Sequence, residues 1–202
     1  MQTTRVRHRF SVDDYDEMVA RAIITENDRV ELIRGEVLEK RTIGDMHAAC
    51  VKRLNRLFGS IVGDRAIISI QDPIHLTDSE PEPDVALLRP RPDFYASARA
   101  QPIDVFLLIE VADASLNFDC EVRDPLYAEN GICEYWIVNL LDGCIEVHRH
   151  PRADGRYADV QTHARGESIT IEALPGCALA VNDISPEAIA KPPSACEDGQ
   201  PE

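Results

Sequence analysis

Two acidic residues, Asp84 and Glu110, lie at the edges of runs of branched apolar residues. Asp84 precedes VALL and Glu110 follows VFLLI, and such runs are typical of strands that are buried on both faces of a sheet. If the two strands are neighbours, the two carboxylates lie close together. A close acid pair needs a divalent cation, a shared proton or a basic partner to offset its repulsion. The sequence therefore indicates an acidic site, with the nature of its partner still open.

Each of these residues also has a purely structural interpretation. An Asp before a strand is commonly a turn residue, and a Glu at a strand end is commonly solvated. The pair becomes a candidate site only when other parts of the chain support it.

Two helices are predicted before this pair. Ser11 is typical of a helix N-cap, and the helix that follows is predicted to run to about Ile23. From Asp45, apolar residues recur at 3.6-residue spacing as far as Ile61, which predicts a long amphipathic helix. Its polar face carries Lys52, Arg53 and Arg56.

Short apolar segments separated by turn residues predict a sheet. Two of them flank Arg34-Gly35, where the glycine can supply the positive φ of a tight hairpin turn. A third helix is predicted from about Phe118 to Asn130, with Pro125 inside it. The remaining predicted strands are, in order, 66–70, 74–76, 85–88, 105–111, 134–140, 144–150, 156–163, 167–174 and 176–181.

The length of 202 residues suits one domain, which we expect to span residues 1–185. Residues 186–202 are polar, rich in proline and without periodicity, so we expect a disordered tail. The N-terminus has no apolar segment of an export signal, and no run approaches the ~20 apolar residues that cross a bilayer. We therefore expect a cytoplasmic protein that does not contact membranes.

The six cysteines are expected to be reduced thiols, because their spacing is irregular and no export signal precedes them. Cys133, Cys144, His148 and His150 do not have the spacing of a zinc site. His148 and His150 alternate with an apolar residue, which predicts the solvent-facing side of a strand. The chain also lacks GxSxG, GxxxxGK[ST] and HExxH, which argues against an α/β hydrolase, a P-loop enzyme and a zincin.

Several motifs then follow one another in a recognisable order: ELIRGE, PEPDVALL, LLIEVADAS, the four-residue spacing of Asp119, Arg123 and Tyr127, and GICEYWIVN. In this order the sequence resembles the Uma-two family of restriction-endonuclease-like proteins, part of the PD-(D/E)XK nuclease superfamily. The resemblance covers about residues 10–184. It implies an α/β, restriction-endonuclease-like core, in which helices flank a mixed central sheet, and a divalent-metal phosphodiesterase site.

The resemblance also implies roles for individual residues. Asp84 and Glu110 match the acidic ligands of Mg²⁺, which Mn²⁺ can replace, and the backbone carbonyl of Val111 could add a third oxygen. Glu31 matches an acidic position near the metal. The lysine of the family, which lies on the following helix, is replaced here by Arg123. Glu36, His47 and Tyr127 match recurrent positions without an assigned role.

These residues predict a Mg²⁺-dependent DNA endonuclease. Arginine stays charged at all accessible pH, so Arg123 cannot be a general base, although its planar fork can clamp a phosphate or orient a water. Cleavage of both strands of a duplex suits a homodimer. The alternative is a weak or inactive relative that serves as a binding or regulatory domain, which Arg123 and the net charge of −15 favour.

The charge of −15 bears on any nucleic-acid partner, because an acidic protein repels DNA at long range. Binding then depends on a few basic residues, with Lys52, Arg53 and Arg56 as candidates. We expect DNA binding to be weak and to weaken steeply with salt.

Overall fold

A six-stranded mixed sheet forms the centre of the protein. The computed structural model describes residues 7–25, 27–113 and 115–184, so the predicted tail at 186–202 lies outside the described residues. The strands of the sheet lie in the order β3-β4-β5-β6-β7-β8, and all neighbours are antiparallel except β5 and β6. These strands are β3 (Ile67–Ser69), β4 (Val85–Leu88), β5 (Val105–Ala112), β6 (Glu134–Asn139), β7 (Cys144–Arg152) and β8 (Arg156–His163).

Two small hairpins accompany the sheet. β1 (Val30–Ile33) pairs with β2 (Glu36–Glu39), and β9 (Ser168–Thr170) pairs with β10 (Ala178–Ala180). Gly35 turns the first hairpin with φ +74°, and an added Cβ there would lie 2.9 Å from the Phe10 carbonyl oxygen. The N-terminal segment therefore lies directly over this turn, and glycine meets both demands.

Local features of the sequence explain where the first helix begins and which face the second helix buries. α1 (Val12–Ala20) begins with a capping box, in which Ser11 and Asp14 each bond to the other's backbone N–H. α2 (Asp45–Ile61) buries the apolar face that its periodicity predicts. The remaining helical segments are α3 (Leu116–Phe118), a π-helical turn (Asp119–Arg123), α4 (Asp124–Glu129), α5 (Val181–Ile184) and two 3-10 turns (Gly63–Arg65 and Pro102–Asp104).

The sheet separates two apolar cores. Alternate residues of β4 and β5, such as Leu87 and Ile109, face α2, whereas Ala86 and Leu108 face α4. Asp84 and Glu110 have the same parity as Ala86 and Leu108. The sheet therefore directs both acids to the face that α3, the π turn and α4 cover.

α3, the π turn and α4 run continuously from 116 to 129 and connect the parallel strands β5 and β6. Pro125 lies at the start of α4, immediately after the π turn. In an uninterrupted α-helix its ring would clash with the preceding turn, and the wider π turn accommodates it. The predicted helix at 118–130 is confirmed, with this irregularity as its one unpredicted feature.

Several details of the sequence prediction are wrong. The strand predicted at 167–174 is confined to Ser168–Thr170, and the one predicted at 176–181 is confined to Ala178–Ala180. α1 ends at Ala20, before Ile23. Residues 74–76 do not form a strand: Ile74 makes one isolated bridge, and the neighbouring prolines lack the N–H groups of a ladder. His148 does not face solvent but is 6% exposed, with its Nδ1 2.8 Å from Asp124 Oδ1.

No described helix is long and apolar enough to span a membrane. Five cysteines, Cys50, Cys120, Cys133, Cys144 and Cys177, are free thiols, as predicted. Cys196 lies outside the described residues.

Glu134 attaches the β9–β10 hairpin to the sheet. Its buried carboxylate accepts hydrogen bonds from Arg149 Nη2 at 2.7 Å and from the Trp136 indole at 2.8 Å. Its second oxygen accepts from the backbone N–H of Glu172 at 2.8 Å. The carboxylate is thus satisfied within the fold, outside the acidic pair of β4 and β5.

We predict that Arg149→Ala lowers the free energy of unfolding by about 3–5 kcal/mol, because it leaves a buried carboxylate without its cation. Chemical denaturation measures this loss. Arg152→Ala removes an exposed arginine from the same strand and is expected to change stability by less than about 0.5 kcal/mol. Equal losses in the two variants would contradict a structural role for the Glu134 pair.

Candidate active site

The register of β4 and β5 brings Asp84 and Glu110 together. Val85 pairs with Ile109, so the next position along the two antiparallel strands places Asp84 opposite Glu110. The backbone N–H of Val111 donates to Asp84 Oδ2 at 2.9 Å. Asp84 is 7% exposed and Glu110 is 3% exposed. The predicted approach of the two acids is therefore confirmed, and both are buried.

Asp84 is held by three donors. Besides the Val111 N–H, His47 Nε2 lies 2.8 Å from Asp84 Oδ2, and Gln71 Nε2 donates to Oδ1 at 3.1 Å. His47 stands in the first turn of α2. Burial lowers the pKa of its imidazole, but the hydrogen bond and charge of Asp84 outweigh burial and raise it overall. His47 is thus a donor that fixes the Asp84 carboxylate.

Arg123 is the centre of the acidic cluster. One terminal nitrogen, Nη1, pairs with Glu110 Oε1, and the other, Nη2, donates to Glu31 Oε1 at 2.7 Å. Its Nε lies 3.7 Å from Asp119 Oδ1. The guanidinium is 9% exposed and lies over the Phe118 ring. Its terminal nitrogens therefore bind the protein's own carboxylates.

Burial raises the pKa of Glu110 well above its ordinary value, and the nearby carboxylates of Asp84 and Asp119 add to this. Arg123 opposes the shift. Tyr127 Oη donates to Glu110 Oε1 at 2.8 Å, from one helical turn beyond Arg123. Burial therefore favours the protonated form of Glu110, and the charge of Arg123 favours the ionised form.

Asp119 completes the cluster. Its Oδ2 accepts a hydrogen bond from Ser115 Oγ at 2.6 Å. Burial raises the pKa of Asp119 from 3.8 to about 6, although Arg123 and the Ser115 hydroxyl act in the opposite direction. Near neutral pH this carboxylate is ionised at an energetic cost to the fold.

Glu31 connects the cluster to a second ion pair. Its Oε2 accepts from the backbone N–H of Glu82 at 3.2 Å, and the Glu82 side chain pairs with Lys40 Nζ. Glu82 lies between two prolines, two residues before Asp84. Lys40 and Glu82 are each 25% exposed, whereas Arg123 and its partners are buried. Partly exposed pairs contribute about 0–1 kcal/mol, whereas removing one partner of a buried pair costs about 3–5 kcal/mol.

These side chains line a cleft of about 860 Å³ between the β1–β2 hairpin, the start of α2 and the π turn. Its lining contains more carboxylates than cations. The cationic side chains in the lining are Arg29, Lys40, Arg41, Arg99, Arg123 and, when protonated, His47. Arg99 is already paired with Asp16 and Glu80. The cleft is therefore large enough for a small substrate or a nucleic-acid strand and carries excess negative charge.

Most of the residues proposed from the sequence lie in this cleft. Asp84, Glu110, Arg123, Glu31, Val111 and His47 line it, and Tyr127 touches it through Glu110. Glu36 does not, because it pairs with Arg7 at 3.2 Å on the outer side of the hairpin. Lys52, Arg53 and Arg56 are exposed on α2 but are not part of the lining.

Gln71, Lys40 and Glu82 are parts of the site that the sequence reasoning missed. Gln71 lies opposite Asp84 because Ser69 pairs with Ala86, so knowledge of the β3–β4 register would have found it. Its φ of +55° is unusual for a residue with a side chain. Lys40 has no such signal, because it lies immediately after β2 and its target is distant in sequence.

The donor chemistry of the site suits a hard divalent cation. Several carboxylates share one arginine, so charge remains to be neutralised, and oxygen donors are those that Mg²⁺ prefers. Within the described ranges, no three acidic, histidine or cysteine side chains converge on a ready-made metal position. Cation binding by Asp84 and Glu110 would therefore draw on further ligands, among which the backbone carbonyl of Val111 is the one that the sequence suggests.

We predict that Asp119→Asn stabilises the fold at pH about 8 by about 2–3 kcal/mol and has little effect at pH about 4. The raised pKa means that the folded state holds this proton more tightly than the unfolded chain does. Its stabilising contribution is present below the ordinary pKa and is lost as pH rises through about 6. Denaturation in EDTA at both pH values measures the difference. A variant that is less stable than wild type at pH about 8 would contradict the assignment.

A fold comparison finds a solved structure with the same fold. A crystal structure described as a putative nuclease belonging to DUF820 from Anabaena variabilis matches with a TM-score of 0.70 and 14% sequence identity. The match covers 87% of this chain and 97% of that chain. At this identity it shows a shared fold, which agrees with the predicted α/β core.

No curated protein matches the sequence. A family model does: Uma2, described as "Putative restriction endonuclease", matches residues 12–182. This range includes the whole acidic cluster and nearly all of the described structure. The chain therefore belongs to the Uma2 family.

Proposed function

We propose that this protein is a divalent-metal-dependent DNA endonuclease of the PD-(D/E)XK type. The observation that carries the proposal is that Asp84 and Glu110 meet on adjacent strands, and that Glu110 shares the guanidinium of Arg123 with Glu31 and Asp119. The Uma2 family description and the nuclease fold neighbour support it.

Asp84, Glu110 and the backbone carbonyl of Val111 are the groups that would hold Mg²⁺, or Mn²⁺ in its place. A divalent cation supplies the positive charge that activates a water nucleophile and stabilises the charge on the phosphorus. His47 and Gln71 fix the orientation of Asp84. Arg123 and Tyr127 bind the same oxygen of Glu110, and the charge of Arg123 opposes the rise that burial causes in the pKa of this carboxylate.

DNA as substrate, and a homodimer that cuts both strands, form part of the proposal. The acidic cleft disfavours a polyanion, so the bound cation must offset repulsion as well as take part in chemistry. The exposed basic residues of α2 remain candidates for contacts outside the cleft. A catalytically inactive binding domain is the alternative, favoured by the cation that the cluster already contains, Arg123.

We predict that the wild-type protein converts supercoiled plasmid to nicked or linear DNA with Mg²⁺ or Mn²⁺, and that EDTA abolishes this. Asp84→Asn should reduce the rate by at least about 10²-fold, because an amide is a poor ligand for a hard cation. Its stability in EDTA should equal or exceed that of wild type, since one charge of the cluster is gone. Gel electrophoresis and thermal unfolding measure both effects.

The matched control is Asp64→Asn, which removes the same charge from an exposed residue beyond the far end of α2. α2 ends at Ile61, 14 residues after His47, so this end lies about 21 Å from His47. The control should cleave as wild type does. Absence of cleavage under all conditions, or equal cleavage by Asp84→Asn, would leave the inactive binding domain as the better explanation.

Arg123 gives a separate prediction. Arg123→Ala should raise the pKa of Glu110 further, so that divalent cations must displace a more tightly held proton. Mn²⁺ affinity at pH about 7 should then fall by at least about tenfold and recover partly as pH rises, with Arg123→Lys intermediate. Titration calorimetry at several pH values measures this. Arg156→Ala on β8 is the control, and an Arg123→Ala profile identical to it would show that Arg123 does not act on Glu110.

A further inference from the structure

Arg123 is a cation of the site whose partners are carboxylates of the protein itself. Both terminal nitrogens of Arg123 bind Glu110 and Glu31, and the guanidinium is 9% exposed. If Arg123 bound a substrate phosphate instead, two buried carboxylates would lose their cationic partner, which is strongly unfavourable. Arg123 is therefore poorly suited to contact a substrate directly.

Hydrolysis of a phosphodiester nevertheless builds negative charge on the phosphoryl oxygens, and a positioned cation of the protein stabilises that charge. Five cationic side chains besides His47 line the cleft. Arg99 is engaged by Asp16 and Glu80, and Arg123 by the cluster. The remaining three are Arg29, Lys40 and Arg41.

Lys40 differs from the two arginines by its depth in the cleft. Arg29 and Arg41 are exposed at its rim, and Arg29 Nη2 donates to the backbone carbonyl of Arg41. Lys40 is only 25% exposed, and its ammonium reaches Glu82, two residues before Asp84. It is also the only lysine in the cleft lining among the described residues.

The ion pair between Lys40 and Glu82 positions the ammonium but can be exchanged for another partner. The Lys40–Glu82 pair is partly exposed, so exchange of one anionic partner for another costs little. Glu82 lies in an extended segment between two prolines, and its backbone N–H is fixed by Glu31. The ammonium is thereby kept beside the carboxylates, and its flexible stem lets it turn to a substrate.

We propose that Lys40, and not Arg123, is the catalytic residue that contacts the phosphoryl group of the DNA strand in the cleft, leaving Glu82 for the phosphate when substrate binds. This inference rests on the proposed endonuclease function. In this proposal the two cations have different roles: Arg123 pairs with the buried carboxylates, and Lys40 binds the phosphoryl group of the substrate.

The test compares Lys40→Gln with Arg156→Gln in plasmid cleavage and in Mn²⁺ binding. Glutamine keeps an N–H donor for Glu82 but removes the charge. Arg156 is exposed on β8 outside the cleft, so its substitution removes one positive charge elsewhere. Lys40→Gln should lower the cleavage rate by about 10²- to 10³-fold with Mn²⁺ affinity unchanged, whereas Arg156→Gln should stay within about threefold of wild type.

Glu82→Gln separates a substrate contact from a structural ion pair. If Lys40 serves the phosphate, removal of its competing carboxylate should lower KM by about two- to tenfold, in the direction opposite to the loss in Lys40→Gln. If the pair is only structural, both variants should lose stability and activity together. Lys40→Arg should recover part of the rate lost in Lys40→Gln.

The outcomes distinguish the two levels of the argument. A wild-type protein that does not cleave would overturn the proposed function and the Lys40 assignment with it. Cleavage by wild type together with an equally active Lys40→Gln variant, an equal loss in Arg156→Gln, or a loss of Mn²⁺ binding in Lys40→Gln would overturn the Lys40 assignment alone.

Discussion

The need to keep several buried carboxylates in one place governs the architecture around the cleft. Glu31 and Glu110 come from different strands, yet they share the guanidinium of Arg123. Burial alone would protonate Glu110, and only nearby positive charge counteracts it. The π turn, α4 and the β1–β2 hairpin therefore have to be held against the sheet.

Much of this fold could be predicted from the sequence, because its signals are local. The 3.6-residue period of α2, the Ser11 cap and the Gly35 turn each depend on neighbours within one or two turns of chain. The meeting of Asp84 and Glu110 was also predictable, since each adjoins a buried strand. It required only that the two strands be adjacent and antiparallel, which the sheet confirms.

What could not be predicted depends on contacts between distant segments. The burial of His148 follows from its approach to Asp124, and the ion pair of Lys40 with Glu82 joins residues 42 positions apart. Residues 74–76 have the apolar pattern of a strand, but in the structure they form only one isolated bridge, at Ile74. The spacing in the sequence identified Arg123, yet only the structure shows that its guanidinium pairs with Glu31 and Glu110. Sequence patterns therefore predict helices and strands well, but they do not predict which charged side chains pair with each other.

The π turn at Asp119–Arg123 makes this part of the chain sensitive to its length. A π turn holds one residue more than the α-helical turn that it replaces, so loss of one residue there would restore ordinary helical winding. Everything after the deletion would rotate by about 100° about the helix axis. Tyr127 would then point away from Glu110, and Pro125 would stand in a regular helix. Natural insertions and deletions should therefore be rare in this segment, even where substitutions are tolerated.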